Sequence, residues 1–312
     1  MQKVIVGLGE LLWDLLPSGK RLGGAPANFT VMAARLGNRG VIASRLGNDA
    51  LGANARTVLD AFPADTSMLQ TDAENPTGTV SVEIRGGEPH YTIHEPAAWD
   101  FLEWTPEWRA LASIADAVCF GTLAQRNATS RATIREFLAA TRPECLRVFD
   151  VNLREPFFSG ETISVSLASA TIFKLNEVEV PKVLAMLGAV ESIPAGEAGL
   201  LEAAQWILKK YPVQLVAITV GKDGSLLAAR DSFDRHPGVA IKIADTVGAG
   251  DAFAAALVHS YLRGASLAEM NEAGNRWGGW VASQPGAMPD LDAATMAAIF
   301  GQIRAASSGR KL

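Results

Sequence analysis

The order of apolar segments is the strongest constraint on what this chain can fold into. From Thr105 onward, helical patterns alternate with short runs rich in β-branched residues. Helical spacing covers 105–115, 130–140, 162–168, 177–187 and 197–210, and extended runs fall at 117–121, 146–152, 171–175 and 214–220. Apolar runs such as Leu215-Val216-Ala217-Ile218 suit strands covered on both faces. Strands joined through helices run parallel, because the helix supplies the long crossover that a parallel pair needs. Short antiparallel strands are expected at 226–229 and 239–243, and three helices at 249–263, 267–282 and 290–305 end the chain. The N-terminal third begins the same way, with strands at 3–7 and 41–44 and helices after Gly24 and over 48–62. The pattern predicts an α/β fold: a mostly parallel sheet with helices on both faces. Ligands of such sheets collect at the C-terminal ends of the strands.

Two segments break this rhythm. The stretch 77–84 alternates, with Val80, Val82 and Ile84 on one face; Arg85-Gly86-Gly87-Glu88 reads as a hairpin turn, and 90–94 returns. Leu11-Leu12-Trp13-Asp14-Leu15-Leu16 also reads as extended. Segments 11–22 and 75–98 are therefore expected to form a small antiparallel β lid inserted in a single domain spanning 1–312. One apolar face of such a sheet needs cover, from a closed site or from a second subunit. A chain of 312 residues with 48% apolar and 20% charged residues is expected to be soluble and globular. A net charge of −5, with no run of Lys or Arg, gives no reason to expect nucleic acid. No apolar stretch is long enough to span a bilayer. Cys119 and Cys145 sit in apolar strand-like runs and read as reduced core residues, which fits a cytoplasmic protein.

The chemistry concentrates in Asp245-Thr246-Val247-Gly248-Ala249-Gly250-Asp251, just before the helix-forming run 252–258. Small residues at 248–250 place a tight turn at a helix N-terminus, where backbone N–H groups without intrahelical partners and the helix dipole attract an anion. Asp251 in the first turn is either a charge that stabilises the helix or a general base beside a transferring phosphoryl group. The second aspartate six residues earlier and the Gly-Ala-Gly turn between them favour the base.

Other polar residues follow apolar strand segments. Asp14 is a charge inside an apolar run. Gly24 precedes a helix with Pro26 in its first turn, and Asn28 near that helix start offers a donor and an acceptor to a hydroxylated ligand or caps the helix. Asn152 and Arg154 follow the strand at 146–152; Arg154 can neutralise a phosphate or contact substrate. Asn176 and Glu179 open a helix, where a carboxylate favours the dipole or holds magnesium through water near nucleotide phosphates. Thr219, Gly221 and Gly224 form either a hairpin turn or a backbone approach to phosphates. Gly7-Leu8-Gly9 after a strand is an incomplete dinucleotide fingerprint: its third glycine is replaced by Leu12, and no helix opens there.

With these motifs, the chain resembles the ribokinase-like sugar kinases, the PfkB carbohydrate kinase family, over nearly its whole length. The likeness rests on Gly23–Asn28 with its helix to Gly37, Ser44-Arg45-Leu46-Gly47-Asn48-Asp49, Asn176–Glu179, Thr219–Gly224 and, most specifically, Asp245–Asp251. The resemblance implies transfer of the γ-phosphoryl group of ATP to a sugar hydroxyl, with Asp251 as base and the N–H groups of Gly248, Ala249 and Gly250 as anion hole. It implies that Asp14, Gly24 and Asn28 bind sugar, that Asn176 and Glu179 serve Mg2+ and phosphates, and that Thr219, Gly221 and Asn275 lie along the nucleotide. It further implies a monovalent cation, K+, held by Asp245 and the carbonyls of Val247, Ala282 and Gly286, and a homodimer formed through the lid, which in many members also pairs two subunits. Ala25-Pro26, where ribokinases usually carry a lysine, and Asp150-Val151-Asn152-Leu153-Arg154 look more like fructokinases. Fructose is the expected substrate, with 2-keto-3-deoxygluconate kinase, ribokinase or another sugar or nucleoside kinase as alternatives. A non-catalytic sugar sensor would be expected to lose Asp251 or the glycine turn, and both are intact.

Overall fold

The computed structural model describes residues 2–17, 19–85, 88–189 and 196–309. Gly86 and Gly87, the expected lid turn, lie outside the described residues. The chain forms two compact units, Met1–Cys145 with Arg154–Phe158, and Leu146–Leu153 with Ser159–Leu312.

In the first unit, β1 (Val4–Leu8), β2 (Leu12–Leu16) and β3 (Gly19–Gly23) lead into α1 (Ala25–Arg35) and β4 (Arg39–Ala43). There follow β5 (Arg45–Gly47), α2 (Ala50–Leu59), β6 (Gln70–Asp72), β7 (Gly78–Arg85), β8 (Glu88–Ile93), α3 (Pro106–Ile114), β9 (Ala117–Phe120) and α4 (Ala128–Ala139). Strand β1 pairs in parallel with both β4 and β9, and α1 packs on β1 and β4. Gly7 permits that packing: a Cβ there would stand 2.1 Å from the carbonyl oxygen of Pro26 in the first turn of α1. Gly7 within β1 and Gly9 just after it thus serve helix contact, and the chain runs on into strand β2 with no phosphate-binding helix.

The small sheet has the order β3-β2-β7-β8. It consists of two antiparallel hairpins, β2–β3 and β7–β8, joined along a parallel β2–β7 seam that pairs Leu12 with Gly78 and Asp14 with Val80. Asp49, which caps α2, anchors the start of β7. Its carboxylate accepts from the Gly52 N–H (2.7 Å), the Thr77 N–H (2.8 Å) and the Thr77 hydroxyl (2.7 Å).

The second unit contains β10 (Leu146–Asp150), α5 (Gly160–Ser169), β11 (Ile172–Asn176), α6 (Glu179–Met186), α7 (Glu197–Lys210), β12 (Leu215–Thr219), β13 (Ser225–Ala228) and β14 (Phe233–His236). It ends in α8 (Ala249–Tyr261), α9 (Leu267–Ala282) and α10 (Ala293–Gly309). Strands β10, β11 and β12 are parallel, and β13 and β14 extend them antiparallel. Strand β13 is buried at every position and β12 at all but its last residue, as a strand covered on both faces must be.

One expectation fails here. Residues 239–243 form no strand; the partner of β13 is β14, four residues long and ending at His236. The tight turn closed by Ala229 N–H to Ser232 C=O (2.8 Å) starts the return strand at once. Val239 and Ile241 instead lie against α9, where a Cβ on Gly279 would meet them at 3.6 and 3.8 Å. Their alternation reflects contact with a helix.

Glycines on α9 also seat α8. A Cβ on Gly274 would stand 2.6 Å from the Phe253 ring, and one on Gly278 would stand 3.0 Å from the Ala249 carbonyl. Positions four apart share one helix face, so these glycines cut a notch into which the start of α8 fits.

Candidate active site

In the second unit the Asp245–Asp251 segment opens α8 as anticipated. Gly248 is the N-cap residue, in the left-handed conformation at φ 78°. Its lack of a side chain is obligatory, since a Cβ would stand 2.6 Å from both Cα and Cβ of Ala287. The first intrahelical bond runs from the Ala252 N–H to the Gly248 carbonyl (2.9 Å). Residues 249–251 therefore carry the N–H groups that a helix start leaves without an i−4 partner. One of them, on Ala249, turns back to the Thr246 carbonyl at 3.3 Å. Asp251 is half-buried in that first turn.

Asp245 ties the preceding loop to the chain end of α9. Its Oδ1 accepts from the Val247 N–H and its Oδ2 from the Gly286 N–H, both at 3.1 Å. The Ala282 carbonyl accepts from the Ala244 and Asp245 N–H groups at 2.9 and 3.2 Å. The four residues expected at a cation loop are thus brought together by their own hydrogen bonds.

Asn176 and Glu179 form a reciprocal helix start. Asn176 Oδ1 accepts from the N–H groups of Val178 and Glu179 (3.0 Å each), and Glu179 Oε2 accepts from the Asn176 N–H at 2.8 Å. Glu179 Oε1 takes the Leu153 N–H at 2.8 Å, linking this cap to the segment after β10. Burial raises the Glu179 carboxyl above its ordinary range; the Asn176 N–H opposes this and Asp150 adds to it. Just before Leu153, Asn152 adopts φ 37°, a backbone conformation uncommon outside glycine and one that asparagine tolerates better than most residues.

Thr219 ends β12, and its carbonyl accepts from the Glu177 N–H at 2.9 Å. Gly221 and Gly224 both have positive φ, and a Cβ on Gly224 would stand 2.0 Å from the His236 carbonyl. Asn275 lies beneath this turn, buried and donating from Nδ2 to Ser225 Oγ (2.7 Å) and to the Asn271 carbonyl (2.8 Å). Its amide nitrogen is thereby committed to the packing of α9 on β13.

In the first unit, Asp14 sits half-buried on β2 with Arg21 opposite it on β3. Burial raises its carboxyl, and the guanidinium groups of Arg154 and Arg21 pull the other way less strongly. The backbone closes in around it: a Cβ on Gly23 would stand 3.0 Å from Asp14 Oδ2, and one on Gly24 (φ 111°) would stand 2.4 Å from the Glu10 carbonyl. Asn28 is buried in the first turn of α1, its N–H on the Gly24 carbonyl at 3.0 Å. Asp14, Arg154, Gly24 and Asn28 therefore belong to one unit; Asn152, Asn176, Glu179, Thr219, Gly221, Gly224, Asp245–Asp251, Asn275, Ala282 and Gly286 belong to the other.

The profile of the pfkB family carbohydrate kinases matches residues 18–294. The chain belongs to that family. It is a sugar kinase, an enzyme that transfers phosphate. A fructokinase of Klebsiella pneumoniae is 32% identical to it over 264 residues, covering 80% of this chain and 82% of the relative. An aminoimidazole riboside kinase of Salmonella typhimurium is 28% identical over 311 residues, covering 93% and 92%. The crystal structure of a Vibrio cholerae fructokinase with fructose, ADP and calcium superposes with a TM-score of 0.78 at 28% identity, covering 96% of this chain and 98% of that one. The fold is ribokinase-like, with a large mostly parallel sheet and a small second sheet.

For a sugar kinase, the pair that residue-by-residue reading leaves out is Lys174 with Asp150. Asp150 ends β10, Lys174 lies in register with it on β11, and the ammonium donates to Asp150 Oδ2 at 2.8 Å. Burial pulls the Lys174 ammonium down, yet the carboxylates of Asp150, Asp251 and Glu179 together hold it above its ordinary range. A polar residue interrupting each of two apolar strand runs was the available signal. Their pairing depends on strand register, which local spacing does not encode.

Proposed function

We propose that this kinase phosphorylates free fructose, using ATP to make fructose 6-phosphate. The observation that carries the reading is the start of α8: a left-handed Gly248 turns the chain so that first-turn N–H groups and the Asp251 carboxylate share one helix end. Asp251 accepts the proton of the attacking hydroxyl, while the N–H groups of residues 248–250 stabilise the charge of the transferring phosphoryl group. Asp14, Gly24 and Asn28 bind the sugar hydroxyls, with Asn152 and Arg154 as further substrate contacts. Thr219, Gly221, Gly224, Asn176 and Asn275 are assigned to the nucleotide. ADP in the Vibrio fructokinase structure supports ATP as donor.

Among the described residues no group of three or more His, Cys, Asp or Glu is placed to hold a metal ion. Mg2+ keeps several waters and binds through one or two carboxylates and the phosphates of a nucleotide. Bound there, it neutralises phosphate charge; Glu179 is the assigned carboxylate, acting through water. The loop that Asp245 ties together is assigned to K+. We assign the chain to one functional domain over 1–312, the small sheet to a lid that also pairs two subunits, and the enzyme to the cytoplasm, where two buried free cysteines stay reduced. No helix among the described residues is long and apolar enough to cross a membrane.

The likeness to an aminoimidazole riboside kinase favours a second reading, a ribose-type acceptor. Phosphate transfer from ATP–Mg to D-fructose, D-ribose, 2-keto-3-deoxygluconate and aminoimidazole riboside separates the two. Highest kcat/KM on fructose supports the first reading; turnover of none of the four with ATP still bound rejects both and points to a sugar sensor.

A further inference from the structure

Lys174 and Asp150 are more than nine-tenths buried, at 8% and 4% exposure. A buried ion pair is a poor device for stability, because desolvating two charges offsets most of their attraction. Gly250 points to a different role. A Cβ at that position would stand 2.8 Å from Lys174 Nζ, so the ammonium lies directly against the backbone of the first turn of α8. Gly250 is not among the residues with positive φ, so its backbone conformation does not demand glycine. The missing side chain leaves room for a cation. Asp150 holds that cation at 2.8 Å, and a buried lysine held at its tip does not readily swing away to admit a methyl group. Three carboxylates, those of Asp150, Asp251 and Glu179, act on this one ammonium. Without it, an anion arriving at the helix start would meet negative charge with no buried counter-charge from this lysine. Fixed charge in such a water-poor place acts far more strongly than it would in solution.

We propose that Lys174, anchored by Asp150, is a positioning residue for phosphoryl transfer, acting through the backbone of Gly250 to hold the first turn of α8 and to offset the carboxylates around it. This rests on the assignment of Asp251 and that turn to the reaction. Its effect belongs in kcat, since the demand for fixed positive charge is greatest while charge redistributes over the transferring group.

The test uses Lys174→Met, Asp150→Asn and the double variant in the full chain, with thermal melts and steady-state kinetics on ATP–Mg and whichever of the four panel sugars the wild type turns over fastest. Lys174→Met leaves the Asp150 carboxylate buried without its cation and lowers both Tm and kcat. The double variant removes both charges, recovers Tm to near the wild-type value, and keeps kcat down by about 30-fold or more with sugar KM within about threefold. A purely structural pair would behave otherwise: the double variant would regain kcat along with Tm. Return of kcat to within about threefold of wild type in the double variant overturns the proposal, as does a loss confined to sugar KM. If Lys174→Met does not fold, the double variant decides alone; if that also fails to fold, the pair is a folding requirement and the proposal is rejected. A wild type inactive on every sugar, or an Asp251→Asn variant with near-normal turnover, would defeat the underlying assignment instead.

Discussion

Replacing Gly248 by alanine separates two costs that structure assigns to the same residue. The first is the left-handed backbone, φ 78°, which costs an L-residue about 1–2 kcal/mol. The second is space: the new Cβ would stand 2.6 Å from Cα and Cβ of Ala287. Ordinary carbon contact begins near 3.5 Å, so relief demands a shift of about 0.9 Å in either the helix start or the 286–287 loop. A misplacement of about 1 Å at a reacting centre can cost about 10²-fold in rate. Gly264, in the turn after α8, isolates the first cost. It has φ 75°, and a Cβ there would meet nothing within 4 Å. Both substitutions should lower Tm by several degrees, since each kcal/mol is worth about 2–4 °C in a chain of this size class. Gly248→Ala alone should also lower kcat by about 10²-fold. Steady-state kinetics and melts on the two variants side by side provide the comparison. Indistinguishable kcat values would refute the reasoning, by showing that the Ala287 contact does not fix the start of the helix.

Asp251→Asn should cut kcat by about 10²–10⁴-fold while sparing sugar affinity, because only the proton acceptor is lost; isothermal titration with the sugar and single-turnover rates check the two halves. Asp14→Asn should raise sugar KM by about tenfold or more, through loss of a charged acceptor, and should raise Tm at pH 7. The sign follows from linkage: burial lifts the Asp14 carboxyl in the fold, so its stabilising contribution is present at low pH and lost as pH rises through that lifted value. By the same shift, sugar affinity should weaken as pH falls through the lifted value; a sugar KM with the same pH dependence in wild type and Asp14→Asn would contradict this. Arg126 pairs with Asp100 through two contacts of 2.7 Å, both side chains 3% exposed, and its guanidinium stacks over Trp99 at 4.0 Å and Phe157 at 4.7 Å. Arg126→Met should therefore destabilise the protein by about 3–5 kcal/mol in urea unfolding, and adding Asp100→Asn should restore part of that loss.

The residues whose roles were legible in the sequence are those whose constraint is local. Gly248 needs a left-handed turn, Pro26 a first helical turn, and the 215–218 run a strand covered on both faces; each states its geometry within a few positions. Where the constraint was distant, the same residue types misled or stayed silent. Val239 and Ile241 alternate as strand residues do, but the alternation answers Gly279 on a helix some 40 residues later. The bonds of Asn275 to Ser225 and Asn271 are likewise silent in local spacing, because they are set by how α9 lies on β13. Gly7 and Gly9 read only as an incomplete dinucleotide fingerprint, and the reason Gly7 is a glycine was silent: the Pro26 carbonyl lies 2.1 Å from where its Cβ would be.

Gly250 lies between these cases. It was legible as part of a tight turn at a helix start, but its own φ does not require glycine; the requirement arises from Lys174, 76 positions earlier, and Lys174 is held by Asp150 across a strand register. A glycine in a helix-opening turn can thus have either of two causes, a backbone that must bend or a neighbour that must fit. The two make different predictions. If the bend is the cause, alanine is tolerated wherever φ is negative. If the neighbour is the cause, alanine becomes tolerable only once that neighbour is shortened. At Gly250 the second holds, so Gly250→Ala should disturb the fold less when combined with Lys174→Met than in the wild-type background, and a thermal-melt double-mutant cycle showing strict additivity would contradict that assignment.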